Sequence, residues 1–121
     1  MTLTTHALVG AAAASLIPYS PTLALTAGFM SHFAIDAIPH WDYKIKSLQG
    51  DPKHPLKADM VIGKDFFIDL IRIGFDALLG VALSLFFFSG ISGVAMAFWG
   101  ACLGILPTLF SLSIGRFVAN P

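Results

Sequence analysis

The chain has 121 residues, of which 56% are hydrophobic and only 12% are charged, and this length favours a single domain. A soluble domain usually carries about 25% charged residues, so the composition indicates lipid as the main solvent. The formal net charge is zero, which argues against a nucleic-acid partner, because binding phosphates requires a basic surplus. All seven acidic residues are aspartate, a poorer helix former than glutamate. An aspartate in mid-helix therefore suggests that a short carboxylate is needed at a defined place.

Four apolar stretches are interrupted by helix-breaking residues. Pro18 and Pro21 separate the first two stretches, Pro39 ends the second, and Asp59 is placed to cap the third. Pro107 is expected to kink the fourth stretch rather than end it. The sequence therefore predicts an all-α, multi-pass membrane bundle of four transmembrane helices. The expected spans are about 3–17, 22–38, 60–88 and 91–114.

The polar connection between the second and third spans, about residues 39–59, sets the expected orientation. Five of the seven basic residues lie in or just after it: Lys44, Lys46, Lys53, Lys57 and Lys64. Because positive charge stays on the cytoplasmic side, this connection and both termini are expected to be cytoplasmic. The uncharged connections "PYSP" and "SGISG" then face outward. Membrane lipid is the expected partner, and homo-oligomerisation is left open.

Ionisable residues follow the second span in "SHFAIDAIPHWD", residues 31–42. His32 and Asp36 are four residues apart and share one helix face. His6 lies about one turn from the cytoplasmic start of the first span, so the topology brings it to the same end of the bundle. An ionisable group in or beside a membrane span is a functional hypothesis by default.

The third span carries a second polar pattern. Asp65, Asp69, Arg72 and Asp76 stand at offsets of 0, 4, 7 and 11 residues, which places them within a stripe of roughly 60° at about 100° per residue. We expect this stripe to face the bundle interior or a wet cavity. Its cytoplasmic end is expected at the depth of the histidines.

Imidazole nitrogens and carboxylate oxygens at one depth are typical of a divalent metal site. Zinc is the first expectation, with manganese or iron as alternatives. A bound dication also offsets the repulsion among clustered carboxylates. The expected metal ligands are His6, His32, Asp36 and Asp69.

Three further side chains have expected roles around such a metal. His40 and Asp65 are the candidate catalytic residues, acting as general base or orienting the ligating imidazoles. Arg72 is unfavourable as a neighbour of a metal ion, so it is expected to neutralise Asp76 or to bind an anionic group of the substrate.

Other interpretations of these residues remain open. His32 and Asp36 could form a buried hydrogen-bonded pair that only fixes helix packing, and the stripe on the third span could be a structural ion pair. As a relay, the same stripe would suit a metal-ion or proton carrier. A structural membrane module, whose polar groups merely fasten the helices, is the third alternative.

Two motifs resemble a known family. "THALVG" at 5–10 and "SHFAIDAIPHWD" at 31–42 are similar to elements of small bacterial inner-membrane proteins described as metal-dependent hydrolases, with suggested kinship to zinc-dependent phospholipases C. The resemblance extends to His6, Gly10, His32 and Asp36. A further "HRGxTHS"-like element of many members has no counterpart here. The resemblance implies an inner-membrane, metal-dependent hydrolase, with a lipid or phosphoester as the expected substrate class.

The orientation can be tested by cysteine labelling in a Cys102→Ser background. A cysteine at Ser47, in the lysine-rich connection, should resist an impermeant maleimide in intact spheroplasts and react after lysis. A cysteine at Tyr19 in "PYSP" is the matched control and should react before lysis. Reaction of the Ser47→Cys variant in intact spheroplasts would invert the topology.

Overall fold

The structure is a computed structural model that describes residues 2–39, 48–51, 54–60 and 63–118, with side chains over 2–39 and 63–110. Four helices and two short strands make up this part of the chain. The helices are α1 (Leu3–Ser15), α2 (Pro21–Asp36), α3 (Lys64–Ser92) and α4 (Val94–Val118), and the strands are β1 (Leu48–Asp51) and β2 (His54–Met60).

The first two helices begin at hydroxyl caps. The Thr2 side chain accepts a hydrogen bond from the backbone N–H of Thr5 at the start of α1, and Ser20 caps α2 in the same way. Pro21 occupies the first position of α2, where its fixed φ suits a helix and its missing N–H costs nothing. Both helices end close to where the prolines predict, and they pack against each other.

The third helix differs from the prediction at both ends. Asp59 lies in β2 rather than at a helix cap, and α3 begins at Lys64 after Gly63. At its other end α3 continues through "SGIS" to Ser92, and the single residue Gly93 separates it from α4. Gly93 has φ of 84°, a left-handed conformation that glycine adopts without a Cβ clash.

The long connection contains an antiparallel strand pair, which the all-α prediction did not include. Leu48 pairs with Met60 and Gly50 with Ala58, and the register shifts between Gly50 and Asp51. The predicted helices are otherwise present, and α4 runs through Pro107 as expected.

Interhelical contacts fix the direction of each helix. Gly80 of α3 lies against Thr4, and Ser92 contacts Ser15, so α1 and α3 are parallel. Gly104 of α4 lies against the His6 backbone, so α4 runs antiparallel to α1, as does α2. The start of α1, the end of α2 and the start of α3 therefore lie at one end of the bundle.

Helices α1 and α4 form the centre of this bundle. They pack against each other, and α2 and α3 each pack against both of them. Because α2 and α3 do not pack closely together, they occupy the two opposite grooves of the α1–α4 pair. A residue of α2 and a residue of α3 at the same level are thus separated by the central helices.

The interior is built from small side chains. Leu3 and Ser84 are the largest fully buried side chains of the described part, and a Cβ added at Gly80 would lie 2.7 Å from the Thr4 Cα. Large apolar side chains face outward instead, as Phe86 at 80% and Leu78 at 72% exposure illustrate. Close approach of backbones through glycine and alanine is typical of helices that pack in a membrane.

One helix of the described part, α3, is long and apolar enough to cross a membrane, and only 11% of its most apolar 18-residue window is buried. Helix α1 has 13 residues and α2 has 16, less than the about 20 residues of a perpendicular span. The four-span membrane bundle therefore stays a prediction.

Candidate metal centre

Three of the predicted site residues meet at the end of the bundle where α1 begins and α2 ends. His6 lies in the first turn of α1, and His32 and Asp36 lie in the last two turns of α2. Each of the three offers one ligand atom, and these atoms all lie within 4.8 Å of one another. The group could hold a metal ion.

The Asp36 carboxylate bridges the two histidines. Its Oδ1 lies 3.0 Å from His6 Nε2, and its Oδ2 lies 2.9 Å from His32 Nε2. The two imidazole rings are in contact, with centroids 4.5 Å apart and planes inclined by 36°. Both Nε2 atoms and the carboxylate therefore converge on one point.

The other nitrogen of each ring contacts a backbone carbonyl. His6 Nδ1 lies 3.0 Å from the Thr2 oxygen, and His32 Nδ1 lies 2.9 Å from the Gly104 oxygen. A carbonyl oxygen can only accept a hydrogen bond, so Nδ1 must be the donor in both rings. In the neutral imidazole, Nε2 then carries a lone pair and no proton.

This tautomer makes the carboxylate an unfavourable neighbour unless a cation is present. Two Nε2 lone pairs would face two carboxylate oxygens, and one added proton would relieve only one of these contacts. Protonation of both rings would instead place two imidazolium cations in contact. A metal ion bound by Nε2 of His6, Nε2 of His32 and Asp36 satisfies all three groups, and metal-bound histidines commonly donate the other N–H to a carbonyl.

Burial and helix direction also suit a cation. The side chains of His6 and His32 are 4% and 6% exposed, whereas that of Asp36 is 42% exposed, so the site opens on the Asp36 side. Asp36 is also the last residue of α2, where the negative end of the helix dipole favours positive charge.

Gly104 contributes a part of the site that helix periodicity does not reveal. A Cβ at this position would collide with the His6 carbonyl, so glycine allows α4 to lie against α1 at the residue whose own carbonyl contacts His32. Sequence reasoning missed both carbonyl acceptors, because any residue type supplies one. The glycine spacing in α4, at Gly100 and Gly104, was the available signal.

The predicted stripe on α3 does not face one way. Asp69 is 4% exposed, whereas Asp65 and Arg72 are exposed to the surroundings. Asp76 contacts the start of α1, and Asp69 precedes it by two turns, about 10 Å along α3. Asp69 does not belong to the group of converging ligand atoms. Its role as a fourth ligand stays a prediction.

The remaining expected roles are not tested by the described residues. His40 lies outside them, so its catalytic role stays a prediction. Arg72 and Asp65 lie on α3, about one and three turns before Asp76, and their expected roles in substrate binding and catalysis also stay predictions. The expected Arg72–Asp76 pair is replaced by contacts between Asp76 and α1: the carboxylate accepts a hydrogen bond from the Leu3 N–H.

Comparisons of the chain with protein-family models, with curated proteins and with solved structures find no match. The resemblance of the two motifs to inner-membrane hydrolases therefore stays a prediction.

Replacing Asp36 by asparagine separates the metal interpretation from a structural pair. If Asp36 binds metal, Asp36→Asn should weaken metal binding while leaving the metal-free protein equally or more stable, because the carboxylate no longer faces two lone pairs. Thermal melts in detergent, with and without a chelator, measure both effects. The chelator should lower the Tm of the wild type and of the control Asp51→Asn, but not that of Asp36→Asn.

The structural interpretation predicts another pattern. If Asp36 only pairs with protonated histidines, removal of its charge should destabilise the fold by roughly 3–5 kcal/mol. A large loss of stability in Asp36→Asn, together with a wild-type Tm that the chelator does not change, would contradict a metal site.

Proposed function

We propose that the chain is a membrane-embedded, metal-dependent hydrolase whose metal is held by His6, His32 and Asp36. Zinc is the first candidate, with manganese or iron as alternatives, and a lipid or phosphoester is the proposed substrate class. The observation that carries the proposal is the pairing of both Nδ1 atoms with carbonyls, which turns both Nε2 atoms toward one carboxylate.

The ligand set supports a catalytic rather than a purely structural metal. Structural zinc sites are closed by four protein ligands, whereas catalytic sites keep a position for water or substrate beside three. Among the described residues, three side chains converge here. The exposed side of Asp36 provides the direction from which a substrate reaches the metal.

Membrane embedding is supported by the distribution of large and small side chains. Alanine and glycine fill the interior, while phenylalanine and leucine cover the outside of α3. Such a surface is unusual for a protein in water, where contiguous apolar patches rarely exceed a few hundred Å². The lysine-rich connection joins α2 to α3 at the same end as the site, so the proposed active site faces the cytoplasm.

The chemistry divides between the metal and the chain. A bound dication supplies Lewis-acid polarisation of the scissile group and activates water. The Thr2 and Gly104 carbonyls hold the two imidazoles in the ligating tautomer, and Asp36 supplies the negative charge. His40 and Asp65 are the proposed candidates for the general base. Arg72 is the proposed residue that binds an anionic group of the substrate.

The carrier alternative receives less support from the interior of the bundle. Beyond His6 and His32, toward the far end, the buried polar residues of the described part are Ser15 and Ser84. Each donates to a carbonyl of its own helix. A proton or ion relay needs further titratable or coordinating groups across the membrane, so a site confined to one end favours hydrolysis.

Metal analysis and hydrolysis assays test the proposal together. Protein purified in detergent should contain about one zinc ion per chain, as expected for a single site, and His32→Ala should lose most of it. His54→Ala, a histidine change in β2, is the control and should keep it. Hydrolysis of bis(p-nitrophenyl) phosphate should stop on chelation and resume on addition of Zn²⁺.

Two results would contradict this function. Full zinc stoichiometry in both His6→Ala and His32→Ala would exclude the proposed ligands. Zinc binding without chelator-sensitive hydrolysis of phosphodiester or phospholipid substrates would support a metal site but contradict the proposed hydrolase activity.

A further inference from the structure

A second polar contact at the same end of the bundle joins α3 to the start of α1. The Asp76 carboxylate accepts a hydrogen bond from the Leu3 N–H at 2.6 Å and another from the Thr4 N–H at 3.4 Å. The Thr4 hydroxyl lies 2.6 Å from Asp76 Oδ1 and 2.8 Å from the Asp76 carbonyl oxygen. A carboxylate from one helix thus caps the N-terminus of another.

The contact meets a need that α1 cannot meet alone. The first N–H groups of a helix have no partner within the helix, and Thr2 accepts only that of Thr5 through its side chain. Negative charge is favoured at this end, which carries a partial positive charge. Asp76 supplies both the acceptors and the charge, half-buried between helices.

The capped turn is the turn that carries His6. The Thr2 carbonyl accepts from the Thr5 N–H, the His6 N–H and His6 Nδ1, so the orientation of the His6 ring depends on the backbone at the helix start. Asp76 holds the next two residues of that turn, and Gly80 lets α3 lie directly against Thr4. The turn is therefore held from the α3 side while His6 reaches toward α2.

Charge adds a second effect. His6 lies within the first turn of α1, where the helix dipole disfavours a dication. The negative charge of Asp76 at the same helix end offsets the positive end of the α1 dipole. On the other side of the site, the negative end of the α2 dipole at Asp36 acts in the same direction.

We propose that Asp76 is a positioning residue of the metal centre: it fixes the first turn of α1, and with it the Thr2 carbonyl and the His6 ring, and offsets the positive helix end beside the metal. This inference rests on the proposed metal function of the site. It assigns to Asp76 a role that does not involve touching the metal or the substrate.

Titration of the purified full chain with Co²⁺, against a competing chelator, tests the proposal. Direct hydrogen-bond partners of metal ligands commonly change affinity by about 10–100-fold when removed. Asp76 acts one contact further out, so Asp76→Ala should weaken Co²⁺ binding by about tenfold, the lower end of that range, and alter the visible spectrum of bound Co²⁺. Asp76→Asn keeps an acceptor oxygen but loses the charge, so its Co²⁺ affinity should lie between that of Asp76→Ala and that of the wild type.

Two further variants separate positioning from general stability. Ser92→Ala removes a polar contact between α1 and α3 at the far end of the bundle, the 2.9 Å hydrogen bond with Ser15. It should lower the Tm without changing Co²⁺ affinity or spectrum. Thr4→Val keeps the Asp76 charge and removes one donor, so it reports on positioning even if Asp76→Ala does not fold, and it should also weaken binding.

Wild-type Co²⁺ affinity in Asp76→Ala and Thr4→Val would overturn the positioning role while leaving the metal site intact. Equal losses in Asp76→Ala and Ser92→Ala would also overturn it, because they would indicate a general effect of loosening α1 from α3. Failure of the wild type itself to bind Co²⁺ would overturn the proposed function and this inference together.

Discussion

The hydrogen bond from His32 Nδ1 to the Gly104 carbonyl, 2.9 Å long, connects the chemistry of the site to the packing of the bundle. It fixes the protonated nitrogen of one ring and leaves the other nitrogen to face Asp36. The residue that supplies this carbonyl also lies directly against α1, where a Cβ at position 104 would collide with the His6 carbonyl. Gly104 therefore contacts the backbone of one histidine and the ring of the other, so the small-residue packing and the ligand set meet at this position.

The same packing explains why the outside of the molecule is apolar. When glycine and alanine occupy the contacts between helices, the phenylalanines and leucines of α3 have no interior to enter and face outward. In water this arrangement would expose a large apolar area at considerable cost. In lipid it costs little, and close backbone contact supplies the cohesion between helices. In the proposed membrane setting, the polar groups at the site end would lie where the bundle meets the aqueous side.

Much of this arrangement could be predicted from local patterns. Prolines and apolar runs predict the helices, and the four-residue spacing of His32 and Asp36 places both on one face. An alternating helix order is enough to bring His6 to the same end. The start of α3 was placed wrongly because Asp59, a plausible cap, belongs to a strand.

The remaining features depend on tertiary contacts that residue types do not encode. Backbone carbonyls are present at every residue, so nothing in the sequence singled out those of Thr2 and Gly104 as acceptors. Angular periodicity put Asp69 and Asp76 on one stripe but could not show that α3 starts more than three turns, about 18 Å, beyond the start of α1. For that reason Asp76 meets the helix N-terminus of α1, where the sequence suggested Arg72.

The central claim is that two imidazoles, each bound through Nε2, share one metal ion with a carboxylate. X-ray absorption at the zinc edge of the zinc-loaded, detergent-purified protein measures this directly. The account predicts two imidazole nitrogens at about 2.0–2.1 Å, with their outer-ring scattering, and oxygen in the remaining positions. A first shell containing sulfur at about 2.3 Å, or oxygen alone without imidazole scattering, would contradict it.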